Sequence, residues 1–342
     1  MDGEGIRAGE YMVETKGITD DMSNNILILS CGTRDLLVRY FKRADYERVI
    51  GADCSELAPA LYEADKYYLI PRMKEEGYFD AILEICRKEG ITAILPLQED
   101  ELNLISENRE LFEQEGIRTI VSPVETLQIC RDKYCFFEHM TEHGIPVLNS
   151  YIDLDKFEKA YEAGKIGFPV FVKPVRGAGS VGVMKVSCME LLKALFAYSE
   201  EPLLIQEFCN GREFGIDVYV DLVSGEVVDI FAKEKLRMRA GETEKSVTSN
   251  DPALKEFVYR AASTLKLSGP VDMDVFEKDG IFYLSEINPR FGGGFPHAYA
   301  CGVDTPSYIL QNLQGIANES HLQEKREEIY VLKYSDILCI DR

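Results

Sequence analysis

Between residues 268 and 295 the chain reads SGPVDMDVFEKDGIFYLSEINPRFGGGF, which gathers Asp272, Asp274, Glu286, Asn288 and Arg290 in one short stretch. The acids and the amide all carry even numbers, and side chains on a strand alternate faces with a period of two. They share one face of a β-hairpin if its loop has an odd length. With Lys278-Asp279-Gly280 as the loop, residue 277 pairs with 281 and 272 with 286. A two-residue Asp279-Gly280 loop would instead send the acids to opposite faces. Carboxylates crowded on one face repel each other unless a cation sits between them, and hard oxygen ligands suit Mg²⁺. Arg290, just past Asn288-Pro289, adds a fixed positive charge for a phosphate or an acyl phosphate. The plain alternative is an acidic hairpin that faces water.

Charge and composition narrow the setting in which such a hairpin works. The chain has 342 residues, 46% of them hydrophobic, and no Trp, enough for two or three packed domains. Its formal charge of −21 repels nucleic acid and anionic membrane surfaces, and no basic run offsets it. No apolar run approaches a membrane span, and the N-terminus lacks the basic and apolar regions of a signal peptide. These features predict a cytoplasmic protein with neither nucleic acid nor membrane as a partner. Nine Cys without a C-x-x-C pair fit reduced thiols better than disulfides or a zinc site. His139 and His143 stand at i, i+4 without the Glu that metalloprotease chemistry needs, so they read as surface residues, and His297 reads as structural.

The elements that must position the hairpin follow from periodicity. Residues 1–24 are polar and aperiodic, a predicted disordered tail in which Met22 is an alternative start. From residue 25 short buried strands alternate with amphipathic helices: strands at Ile26–Leu29, Arg48–Gly51, Tyr67–Ile70, Ala93–Leu97 and Arg118–Val121, helices at Arg34–Lys42, Tyr78–Lys88 and Asp100–Gln114. That pattern predicts an open α/β sheet over 25–125. The Ser30-Cys31-Gly32-Thr33 turn lacks the spacing of a dinucleotide fingerprint, so no cofactor is placed there.

A single helical segment is predicted over Val124–Gly144, carrying Asp132-Lys133. The stretch FPVFVKPVRGAGSVGVMKV, 168–186, follows as strand, glycine-rich loop and strand. Gly177, Gly179 and Gly182 around Ser180 let backbone N–H groups approach a polyphosphate, with Lys173 adding charge at the strand end. A glycine-rich turn without a ligand would look alike. In LLIQEFCNGREFGIDVYVD, 203–221, an apolar strand runs through Gln206-Glu207-Phe208-Cys209 into a second strand. Exposed backbone there suits a purine edge and Glu213 suits ribose hydroxyls, although the segment taken alone favours a plain hairpin.

Taken in order, Lys133, Lys173 with VRGAGSVGV, Gln206-Glu207-Phe208, Gly211-x-Glu213, Asp274 and Glu286-Ile287-Asn288-Pro289-Arg290 resemble the ATP-grasp superfamily over residues 25–315. Within it the chain looks most like stand-alone relatives of the carbamoyl phosphate synthetase large subunit, through SPVETLQICRDKYCFFEHMTEHGIP and SEINPRFGGG. The resemblance implies an α/β fold of ATP-grasp type with a Rossmann-like pre-ATP-grasp domain in front. It divides the chain into a tail at 1–24, a first domain at 25–125, a small lobe with the glycine-rich lid at 126–202, a large lobe with the metal site at 203–320 and a C-terminal segment at 321–342.

The roles implied by the resemblance fall on named residues. Lys133 and Lys173 would contact ATP phosphates, with Gly177, Gly179, Ser180 and Gly182 as the lid. Gln206, Glu207, Phe208 and Cys209 would form the adenine hinge, and Glu213 would meet the ribose. Asp274, Glu286 and Asn288 would ligate two Mg²⁺ ions, Mn²⁺ being an alternative, and Asp272 competes with Asp274 for that role. Arg290, with Glu286 and Asn288, would stabilise the transferred phosphoryl group. The implied reaction joins a carboxylate to an amine, or to a thiol, through an acyl phosphate, with small-molecule substrates and a homodimer as a compatible assembly. A phosphotransferase and a non-catalytic nucleotide binder are the alternatives.

Beyond that core, FAKEKLRMRAGETEKSVTSN, 231–250, concentrates Lys233, Lys235, Arg237 and Arg239 beside Glu242 in an acidic chain. Arg237, Arg239, Glu242 and Gly293 are the substrate candidates, with a solvated strand as the alternative for the basic stretch.

Overall fold

The computed structural model describes residues 24–177, 182–239, 241–323 and 328–340. The predicted tail, apart from Asn24, lies outside them, as do Gly179 and Ser180 of the predicted lid. None of the described helices is long and apolar enough to cross a membrane.

The first part is a five-stranded parallel sheet ordered β3-β2-β1-β4-β5. Its elements are β1 (Asn25–Leu29), α1 (Asp35–Arg43), β2 (Arg48–Asp53), β3 (Lys66–Leu69), α2 (Tyr78–Glu89), β4 (Ala93–Pro96), α3 (Glu99–Glu107), α4 (Arg109–Gln114) and β5 (Arg118–Thr119). Strand β1 is buried throughout, as a central parallel strand must be. Its even residues, Ile26 and Ile28, join a core shared with Phe291 and Phe295 far along the chain. Its odd residues, Leu27 and Leu29, pack with Ile82 and Cys86 of α2 on the other face.

Next come α5 (Val124–Arg131), α6 (Lys133–Glu142), β6 (Ser150–Tyr151), α7 (Leu154–Glu162), β7 (Val170–Pro174), β8 (Met184–Val186), α8 (Met189–Tyr198) and β9 (Leu203–Glu207). Strands β6, β9, β7 and β8 form an antiparallel sheet in that order. The remainder comprises β10 (Arg212–Val220), β11 (Val227–Arg239), β12 (Glu242–Ser249), α9 (Pro252–Ala262), β13 (Gly269–Lys278), β14 (Ile281–Asn288), α10 (Phe295–Ala300), α11 (Thr305–Leu313) and β15 (Tyr330–Leu332). Its strands make a six-stranded sheet ordered β14-β13-β10-β11-β12-β15.

Two predicted helices are each broken in two. At Asn108 (φ −105°, ψ 17°) the side-chain amide donates to the Leu104 carbonyl at 2.8 Å, so α3 ends there and α4 restarts. Asp132 is extended (φ −95°, ψ 104°) and its carboxylate accepts from the Tyr134 and Cys135 N–H groups, capping α6.

The hairpin turn also differs from the expected one. Lys278 pairs with Ile281, leaving the two-residue loop Asp279-Gly280 with positive φ at both positions (54° and 77°), the twist that two-residue hairpins favour. The acids nonetheless share a face, because a β-bulge intervenes: Val275 pairs with Leu284 but Asp274 pairs with Glu286, leaving Ser285 as the extra residue. Beyond the bulge Asp272 stands opposite Asn288.

A buried polar hub ties the end of β10 to α11. Asn312 accepts from Tyr219 Oη at 2.6 Å and from the Leu222 N–H at 2.9 Å, and donates to Asp221 Oδ2 at 2.7 Å and the Ile316 carbonyl at 2.9 Å. Asp221 also accepts from the Asn318 side chain and N–H, each at 2.8 Å. Burial alone would raise the Asp221 carboxyl, but bonds from Ser224, Asn312 and Asn318 outweigh it and hold the group well below the usual carboxylate range. A depressed folded pKa gives stability that is present above the unfolded value, about 3.9, and is lost as pH falls through the folded one. Urea unfolding of Asn312→Ala at pH 7 is expected to show a loss of about 2–4 kcal/mol, since it strands four hydrogen-bonding groups. Asp221→Asn should be less stable than wild type at pH 7, with the gap beginning to narrow below about pH 4 and continuing to close as pH falls toward the depressed folded value; parallel pH profiles for the two would contradict this account.

Candidate functional site

One face of the six-stranded sheet carries a row of charges set by strand register. Gly215 on β10 stands between Lys233 of β11 and Asp274 of β13, and Asp274 in turn pairs with Glu286. One row along lie Asp217, Asp272 and Asn288. Lys235 extends from β11 across β10, its Nζ 2.8 Å from Glu213 Oε1 and 2.6 Å from Asp274 Oδ1. Lys233 forms a buried ion pair with Asp217. The crossing depends on the missing side chain at 215, where a Cβ would meet Lys235 Cε at 3.0 Å and Lys233 Cε at 3.5 Å. Burial is the main reason the Asp274 carboxyl is pushed up; Lys235 opposes it, while Asp272 and Glu286 push in the same direction.

This face forms one wall of a cavity of about 720 Å³ that Lys133, Lys173, Glu286, Asn288 and Arg290 also line. The break at Asp132 sets Lys133 at the start of α6. The Lys133 N–H donates to the Val175 carbonyl at 3.1 Å and Nζ donates to the Gly177 carbonyl at 2.7 Å, tying α6 to the end of β7. Lys173 donates to Gln206 Oε1 at 2.9 Å. Burial lowers its pKa to about 8, against the pull of Glu286 and with a smaller push from Lys133. Lys133 is lowered too, again chiefly by burial. Two lysines that lose solvation beside an open cavity are suited to meet an anion.

Asn288 donates to Glu286 Oε1 at 3.1 Å, and Arg290 Nη1 contacts Asp272 Oδ2 at 3.2 Å and the Phe291 carbonyl at 3.0 Å. The glycines that follow make this possible: a Cβ on Gly292 would come 2.3 Å from Asp272 Oδ1, and one on Gly294 would come 2.6 Å from Lys233 Cε. Among the described residues no three His, Cys, Asp or Glu side chains form a ready metal cluster. The oxygen donors of Asp274, Glu286 and Asn288 still fit a hard cation, because the mutual repulsion of Asp272, Asp274 and Glu286 is what such an ion relieves.

Of the other predicted residues, Gly177, Gln206, Glu207, Cys209, Glu213, Glu242 and Gly293 line the cavity, and Gly182 and Phe208 do not. Phe208 packs edge-on against Phe171, ring centres 5.4 Å apart, with Lys185 Nζ 3.8 Å above its ring. Glu207 accepts from Asn149 at 2.7 Å. Arg237 and Arg239 lie outside the cavity wall, exposed and paired with Glu244 at 2.8 Å and 3.5 Å. His139 bonds the Thr264 carbonyl at 3.1 Å and stacks on His143. His297 is buried against Ser246 Oγ at 2.7 Å, and burial pushes its pKa down to about 4. Arg34 and Glu99, from the first part of the chain, line the cavity without having been predicted. Their only sequence signal is a position just past a parallel strand, where open α/β sheets bind ligands.

Comparison with known proteins follows the same division. A family model described as PylC-like, N-terminal domain, matches residues 26–120, and one described as ATP-grasp in the biosynthetic pathway with Ter operon matches 199–337. The chain is 27% identical over 194 residues to the carbamoyl phosphate synthase arginine-specific large chain of Bacillus subtilis, 53% of this chain and 18% of that one. It is 31% identical over 187 residues to the D-alanine–D-alanine ligase of Ruminiclostridium cellulolyticum, 48% of this chain and 50% of that one. The chain thus spans 18% and 50% of the length of these two relatives. In structure it is similar to N5-carboxyaminoimidazole synthetase from Staphylococcus aureus complexed with ADP (TM-score 0.69, 16% identity, 87% of this chain and 79% of that one). It is also similar to the MgADP-bound biotin carboxylase domain of the Hydrogenobacter thermophilus 2-oxoglutarate carboxylase (TM-score 0.72, 20% identity, 90% and 73%).

The glycine contacts give a test that is independent of function. Gly294→Ala should cost about 2–4 kcal/mol in urea unfolding, because its Cβ disturbs the buried Lys233–Asp217 pair. Gly293→Ala, whose Cβ would stand 3.4 Å from Glu242 Cδ, should cost less than about 1 kcal/mol. Equal losses would mean that the approach of Lys233 is not the constraint.

Proposed function

We propose, from its membership of the ATP-grasp superfamily, that this chain is an ATP-dependent ligase joining a small-molecule carboxylate to an amine through an acyl phosphate, with release of ADP and phosphate. The observation that carries the reading is the meeting of Lys133, Lys173, Glu286, Asn288 and Arg290 on one cavity, beside a carboxylate row that suits a hard cation. The nucleotide lies between the four-stranded and six-stranded sheets, its phosphates toward Lys133 and Lys173 and its ribose toward Glu213. Glu286 and Asn288, with Asp274, would hold Mg²⁺, which when bound neutralises charge on phosphoryl oxygens.

An oxygen of the substrate carboxylate attacks the γ-phosphorus as the bond to the ADP oxygen breaks. The amine nitrogen then attacks the acyl carbon, inorganic phosphate leaves, and the nitrogen gives up a proton. Arg290 stands where charge grows in the first step, fixed by Asp272 and the Phe291 carbonyl, so no reorganisation is needed when the charge appears. Lys173, lowered to about 8 yet still mostly charged at pH 7 and held by Gln206, balances phosphate charge without an ion-paired carboxylate to compete among the described residues.

Glu286→Gln should remain folded and lose roughly two to four orders of magnitude in ADP release, because it removes charge without changing shape. Arg290→Ala should suppress both ADP release and the hydroxamate formed when hydroxylamine replaces the amine. Phosphate retained on a released small molecule, with no amine dependence and no hydroxamate, would replace the ligase reading by a phosphotransferase.

A further inference from the structure

The turn after β1, to which no cofactor was assigned, is pinned from three sides. Ser30 Oγ donates to Glu101, the Gly32 N–H donates to Asp53 Oδ2 at 2.9 Å, and the Ala60 N–H donates to the Gly32 carbonyl at 3.2 Å. Ser30 and Gly32 both hold positive φ, 48° and 52°, so the turn reverses tightly and launches α1. Arg34 stands at the head of that helix, and its side chain lines the cavity.

Arg34 Nη1 donates to the Phe291 carbonyl at 3.0 Å, the same oxygen that Arg290 Nη1 meets at 3.0 Å. The two guanidinium nitrogens are therefore within two hydrogen-bond lengths of each other. Arg290 has Asp272 as its counter-charge, whereas Arg34 forms no ion pair among the described residues. A guanidinium offers five N–H donors in a planar fork, and among the described residues one of these on Arg34 is taken. Burial, then the charge of Arg290, pushes Arg34 down, with Asp272 and Glu242 opposing. Lys133 and Lys173 instead feel Glu286 most among their charged neighbours. Arg34 thus stands beside Arg290 on the cavity wall, joined to it through one carbonyl oxygen.

We propose that Arg34 determines specificity by holding, beside Arg290, a substrate carboxylate that the reaction leaves intact. Resting on the ligase reading, this makes one of the two substrates an α-amino acid or a dicarboxylic acid. A single carboxylate matches the planar fork and the positive charge that Arg34 carries without an ion pair among the described residues; a dianionic phosphate would meet Asp272 and Glu242 with excess negative charge. The pinned turn holds the fork in place before the ligand arrives, so little ordering is needed on binding.

Calorimetric binding to the full chain saturated with Mg-ADP tests this, using the common L-amino acids, succinate and glutarate as probes, each against its carboxamide. Wild type should bind at least one acid about tenfold or more tighter than its amide, and Arg34→Gln should reduce that preference to under about twofold. Arg34→Lys, which keeps the charge without the fork, should fall between, and unchanged melting temperatures would show that both variants are folded. The probe class that shows the preference identifies the source of the carboxylate. A preference that survives in Arg34→Gln, or no preference for any probe in wild type, overturns the proposal. ADP release with the same compounds reports separately on the ligase reading: binding preference without ADP release would keep the Arg34 subsite and remove the ligase.

Discussion

The site depends on two lysines threaded between carboxylates across a strand that has no side chain in their way. Glu213, Asp217, Asp272, Asp274 and Glu286 share one face of a sheet that is otherwise a hydrophobic-core element, and such a row would not stay ionised unaided. Lys233 and Lys235 answer it from β11 by passing over Gly215. Removing either ammonium would leave a buried carboxylate uncompensated, a far larger penalty than the net gain from the pair itself. With Arg290 included, five carboxylates face three cations. The face therefore stays negative enough to attract a hard cation while remaining compatible with folding.

A second constraint brings the parallel sheet to this face. Tyr40 stacks on Tyr299 with ring centres 3.7 Å apart, Phe41 meets Phe291 edge-on at 5.9 Å, and Tyr46 Oη donates to the Pro306 carbonyl at 3.0 Å. Aromatic packing of this kind fixes orientation as well as burying area. Because Phe291 follows Arg290 directly, the residue that docks the first sheet also presents its carbonyl to Arg34 and Arg290. Docking and site geometry are thus one structure: the cavity is lined from the four- and six-stranded sheets and by residues just past β1 and β4, and β1 serves both faces of its own sheet by alternating its side chains.

What the sequence made legible was whatever depends on local pattern. Strand and helix alternation from Asn25 onward and the even spacing of the acids follow from pattern and residue type, whereas the Ser285 bulge that keeps those acids on one face did not, and Lys133 was singled out only through the family resemblance. Asn108 and Asp132 were legible in principle, since both residue types favour helix ends, but the apolar period on either side runs through them. Lys235 was visible only as part of a basic stretch, because its partners lie 22 and 39 positions away and register alone brings them together. Arg237 and Arg239 looked equivalent to it, yet they sit at the irregular outer end of β11 and pair locally with Glu244. Arg34 was read as the first residue of a helix, just after a turn judged by its failure to match a dinucleotide fingerprint, a criterion that says nothing about a side chain reaching the cavity.

The Ser285 bulge has a consequence for how this hairpin is compared across a lineage. A tight turn plus one extra residue and a longer turn without it present the same acids to the same face, so the property that must persist is parity. Insertion at the tip and loss of the bulge can compensate each other, as paired changes at sites separated by several residues. An alignment counted outward from Asp279-Gly280 would then misplace Glu286 by one position in a relative built the other way. Anchoring it on the Asp274–Glu286 cross-strand pair would not, and the apparent gap would be recognised as a change of turn rather than a change of site.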